Sequence, residues 1–99
     1  MEIQILNKEG NVGVLRVTRR RGMMRFRYAG TEVACMPAAS LASHLALFGR
    51  AGLQSMTWGD TQIDCGRGEV RITLRRETSD HLLSDGIRKE LATLAARPG

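Results

Sequence analysis

Val12-Gly13-Val14-Leu15-Arg16-Val17-Thr18-Arg19-Arg20-Arg21-Gly22-Met23-Met24-Arg25-Phe26-Arg27-Tyr28 decides how this 99-residue chain is read. Successive side chains of a β-strand point to opposite faces, so sorting by parity shows whether a stretch is two-faced. Arg21-Gly22 suits a tight turn, and the halves on either side of it sort cleanly. Leu15, Val17, Met24, Phe26 and Tyr28 fall on one face; Arg16, Thr18, Arg20, Arg25 and Arg27 fall on the other. The reading is a β-hairpin with an apolar underside and an arginine face.

The pattern continues outward. Ile3 and Ile5 alternate with polar neighbours before the turn-forming run 7–11, which adds a strand ahead of the hairpin. After Ala29-Gly30, Thr31 to Cys35 reads as a short fourth strand. Pro37 suits the first turn of a helix, and Leu41, Leu45 and Phe48 form one apolar face of a helix over 37–49, stopped by Gly49 and Gly52. Two more strands, Leu53 to Trp58 and Thr61 to Cys65, meet across Gly59-Asp60. Beyond Gly66-Arg67-Gly68, Val70, Ile72 and Leu74 alternate with Arg71, Thr73 and Arg75.

Thr78, Ser79 or Asp80 is the expected cap of a last helix carrying the stripe Leu83, Ile87, Leu91 and Leu94, with Pro98-Gly99 at its end. Gly86 inside that helix predicts a close approach to the sheet, since glycine there costs about 1 kcal/mol relative to alanine. The chain is read as a single domain over 1–99, because two cores would each be too small to stabilise themselves. The expected class is α+β and two-layered, in the order β-β-β-(β)-α-β-β-β-α. An antiparallel sheet carries two helices on its apolar side and leaves an Arg-rich open face. No linker, repeat or low-complexity tract interrupts it.

The charge distribution points to a partner. The net charge is +5, carried by thirteen arginines and only Lys8 and Lys89. Arg16, Arg19, Arg20, Arg21, Arg25 and Arg27 follow one another with no acid between them. Guanidinium groups suit carboxylates and phosphates, and like charges across a strand pair repel unless something anionic compensates them. Together with Arg71 and Arg75 of the last strand, these six arginines are the candidate contact residues.

Enzyme chemistry finds no support. Cys35 and Cys65 stand thirty residues apart with no ligand spacing, and each is read on the apolar side of a strand. His44 and His81, both in predicted helices and read as surface or boundary residues, have no nucleophile or metal partner. Gly66-Arg67-Gly68 lacks the context of a phosphate loop, and Asp60 and Asp64 sit at one hairpin without an acid–base setting. Trp58 reads as a core or edge aromatic. Neither a catalytic residue, a metal nor a cofactor is expected.

A single-stranded RNA platform needs aromatics on its open face, but Phe26 and Tyr28 fall on the core side. The helices lack a recognition surface for a helix-turn-helix. The expected function is therefore a small non-enzymatic protein that contacts nucleic acid or a ribonucleoprotein through the arginine hairpin. The alternative is an interaction module docking an acidic protein surface: an adaptor, a subunit, or an inhibitor of the phage and mobile-element kind. Homodimerisation through a strand edge or the open face belongs with that alternative. A basic surface excludes nucleic-acid mimicry. With no apolar signal region, no spanning segment and reduced cysteines, the expected location is the cytoplasm and no membrane partner is expected.

Overall fold

The computed structural model describes residues 1–77 and 79–98. Its first half is an antiparallel meander of β1 (Glu2–Leu6), β2 (Val12–Arg20), β3 (Met23–Tyr28) and β4 (Thr31–Pro37). Helix α1 (Ala38–Leu45) tightens into a 3-10 turn over Ala46–Gly49. A second meander follows, of β5 (Gln54–Trp58), β6 (Thr61–Gly66), β7 (Glu69–Leu74) and β8 (Ser79–Leu82), and then helix α2 (Asp85–Ala96). The fold is α+β and antiparallel, with two helices. The strands divide into two four-stranded sheets instead of one continuous sheet, because the helical segment after β4 carries the chain away before β5 begins. The order ββββα thus occurs twice, although no stretch of sequence repeats.

Alternation drives both sheets. Ile3, Leu15, Val17, Met24 and Phe26 are buried beneath the first sheet, and Ile63, Val70, Ile72 and Leu74 beneath the second. With Leu41, Leu45 and Leu91 of the helices they form one contiguous core. Polar ties lock the parts together. The Asp60 backbone N–H and the buried Thr61 hydroxyl both donate to the Val33 carbonyl, at 2.9 and 3.0 Å, joining the β5–β6 turn to β4. His44 Nε2 bonds the Ile63 carbonyl at 2.8 Å and so fixes α1 against β6.

Several sequence expectations are corrected. Ser79–Leu82 pairs with β7 as a strand, with Asp80 opposite Thr73 and His81 opposite Ile72. Helix α2 therefore starts later than expected, capped by Ser84, whose hydroxyl accepts from the Ile87 N–H at 3.3 Å. The proposed cap Thr78 lies outside the described residues, as does Gly99. His44 is buried, and His81 sits on a strand where burial pushes its imidazole below the usual range against the opposing pull of Asp80. Cys65 is buried as expected, but Cys35 faces outward and is half-buried. A register shift between Phe26 and Arg27 reverses parity along β4, which puts Cys35 opposite Arg25.

Gly86 approaches nothing: no atom lies within 4 Å of where its Cβ would stand. Gly86→Ala is accordingly expected to stabilise the protein, by about 0.5 kcal/mol in urea unfolding, through helix propensity alone. A loss of stability would reveal a contact at that position. No helix among the described residues is long and apolar enough to cross a membrane.

Candidate functional site

The outer face of the first sheet is where the arginines gather. On the rung that crosses all four strands, Glu2 is opposite Arg16, Arg16 opposite Arg27, and Arg27 opposite Glu32. Two guanidinium groups thus sit side by side at the centre with a carboxylate at each end. Glu2 takes Arg16 at 3.2 Å, Glu32 reaches diagonally to Arg25 at 3.8 Å, and Arg27 donates to the Gly30 carbonyl at 3.2 Å. These pairs are exposed, and exposed ion pairs contribute about 0–1 kcal/mol. An incoming anion can therefore displace either acid at little cost.

Next to this rung the charge is uncompensated. Among the described residues, Arg20 and Arg21 make no ion pair or side-chain hydrogen bond. Arg16, Arg20, Arg21, Arg25 and Arg27 together line an open trough of about 1070 Å³ whose floor includes Val14, Thr18 and Met23. Arg21 and Gly22 both have positive φ, 52° and 76°, the geometry of the two-residue hairpin turn that matches strand twist. The tip is anchored from below, since the Ala38 N–H donates to the Gly22 carbonyl at 2.8 Å. A left-handed backbone costs a side chain such as arginine about 1 kcal/mol, so Arg21 occupies a position where asparagine would be more stable.

Three of the eight expected contact residues are elsewhere. Arg19 has the inward parity of Leu15 and Val17, and its Nη1 donates to the Leu94 and Ala95 carbonyls at 3.0 and 3.3 Å. It satisfies the last carbonyls of α2 and complements the helix dipole, a structural task. Arg71 lies on the outer face of the second sheet between Glu69, at 3.3 Å, and Asp80, at 3.7 Å. Arg75 follows β7 in a turn of that same half. The second sheet's outer face also carries the exposed Leu82, opposite Arg71, and a polar cluster in which Asp64 accepts from both Ser55 and Gln62.

The two acids of the rung escaped the sequence reading. The parity of Ile3 and Ile5 places Glu2 outward and was available as a signal. Glu32 was available in the same way, since Val33 points inward and the tight Ala29-Gly30 turn sets Glu32 opposite Arg27 in regular register, next to Arg25 on the same face. No group of three or more His, Cys, Asp or Glu side chains converges as a metal site among the described residues. The trough itself is lined by no acid, histidine or cysteine, and its charged groups are all guanidinium groups. Comparison of the chain with known protein families, curated proteins and solved structures finds no match.

Proposed function

We propose that the chain is a non-enzymatic binding protein whose first sheet holds the phosphate backbone of a nucleic acid, free or within a ribonucleoprotein. The observation that carries this reading is the convergence of five arginines on one open trough, two of them with no partner. Phosphate contacts of this kind position a protein without reading sequence, which fits a face with little to contact a base edge. The test is fluorescence anisotropy with labelled oligonucleotides across a salt series. Each phosphate neutralised contributes about −0.9 to the slope of log affinity on log salt, so three to five engaged arginines give a slope of about −3 to −5. A slope near zero overturns the reading.

Arg21 offers a second check, because it sets stability against binding. Arg21→Asn is expected to raise stability by about 0.5–1 kcal/mol, since asparagine tolerates the turn's positive φ better. It also removes one cation from the trough, which weakens oligonucleotide binding several-fold and reduces the salt slope by about 1. Thermal unfolding and anisotropy on the same preparation measure both effects.

A different partner is favoured by one observation. Leu6, Val12 and Val14 share the outer face of the first sheet and are exposed at 55%, 69% and 38%. An acidic protein with apolar anchors, or a second copy of the chain, would cover them. Capture of a discrete protein that survives nuclease treatment supports the former, and a dimer in size-exclusion chromatography with light scattering the latter.

A further inference from the structure

Resting on the nucleic-acid reading, we infer that the trough takes a double-stranded segment in preference to an unstacked single strand. Proteins that hold single strands stack the bases on aromatic rings. Every aromatic side chain of this chain is engaged away from the trough. Phe26 is fully buried under the sheet. Tyr28 lies over Gly13 so closely that a Cβ there would stand 2.7 Å from Tyr28 Cε1, on the inner side where Tyr28 opposes Leu15. Phe48 is covered by Arg88, whose guanidinium carbon is 3.8 Å from the ring centroid. Trp58 is half-buried on β5 in the second sheet.

Charge density points the same way. The four residue steps from Arg16 to Arg20 span about 13 Å of extended strand, with β3 running alongside about 5 Å away. Over that length a duplex presents about 8 phosphate charges, and a single strand about half as many. Five cations gathered there exceed the about four charges that one strand presents over that length, which leaves a cation for a second phosphate row. The Arg21-Gly22 turn, held rigid by the bond from the Ala38 N–H, is shaped to follow a groove between such rows and loses little entropy on docking.

The experiment compares a twenty-base-pair mixed-sequence DNA duplex with a twenty-nucleotide oligothymidine, at equal phosphate concentration and salt, by anisotropy on the full chain. The duplex is expected to bind at least tenfold more tightly. Equal or tighter binding of the single strand overturns this inference and leaves the nucleic-acid reading standing. Failure of both probes to bind at low salt overturns the two together.

Discussion

Gly66→Ala is expected to destabilise the protein by about 2–5 kcal/mol, the sum of overpacking, strained backbone and broken hydrogen bonds. Gly66 ends β6 with φ at 147°, and a Cβ there would overlap the Gly52 carbonyl oxygen, 2.9 Å from its carbon and 3.1 Å from Leu53 Cα. All three are backbone atoms, so no side chain can rotate to make room. The segment they belong to is bonded to the β6–β7 turn: the Arg67 N–H donates to the Arg50 carbonyl at 2.7 Å, and the Gly68 N–H to the Phe48 carbonyl at 2.8 Å. Pushing the segment away stretches both bonds and loosens the cover over the buried Cys65. For a domain of this size each kcal/mol lowers Tm by roughly 4–8 °C, so a fall of at least about 8 °C is expected. Gly68→Ala is the control. Gly68 also has positive φ, at 72°, but nothing lies within 4 Å of its Cβ position, so only the conformational cost of about 1 kcal/mol applies. Equal Tm values for the two variants would show that close approach at Gly66 is not the constraint.

The parts of this fold that were legible are those where one-sided burial forces alternation. The face division of the β2–β3 hairpin followed from Leu15, Val17, Met24 and Phe26, because a shift of one residue would expose all four. The arginine face came with it. What parity could not reach was non-local. β8 is four residues long, too short to display a period, and Ser79 and Asp80 imitate a helix cap until β7 pairs with them. Arg19 belongs by parity to the apolar face, yet nothing local says that the carbonyls of α2 wait there for its guanidinium. The bulge in β4 turns Cys35 to the outer face opposite Arg25, converting an expected core cysteine into a half-buried one, while Glu32, on the turn side of the bulge, keeps its outward parity. The division into two sheets depends on where α1 takes the chain, which the strand pattern does not encode.

Reversing charge at Arg20 and Arg25 together is expected to lower oligonucleotide affinity by about 100-fold or more at moderate salt, while the fold persists. Each substitution removes a cation that neutralises phosphate and puts a repelling carboxylate in its place, and each lost contact reduces the salt slope by about 1. The two positions differ in a useful way. Arg20 stands opposite Met23 without an ionic partner, whereas Arg25 stands opposite Thr18 and pairs with Glu32 at 3.8 Å. Both lie on the exposed outer face, where substitutions typically change stability by no more than about 0.5 kcal/mol, a shift of a few degrees in Tm. Neutralising the competing acids gives the opposite sign: Glu2→Gln with Glu32→Gln frees Arg16 and Arg25, so affinity and salt slope should both increase. Intact affinity after the charge reversal, with Tm unchanged, would place the contact away from the trough. Loss of a protein partner together with unaltered oligonucleotide binding would assign the arginine face to an acidic protein instead. Reversal at Arg71 supplies the matched control, because that side chain sits between Glu69 and Asp80 on the other sheet and its substitution should leave oligonucleotide binding nearly intact.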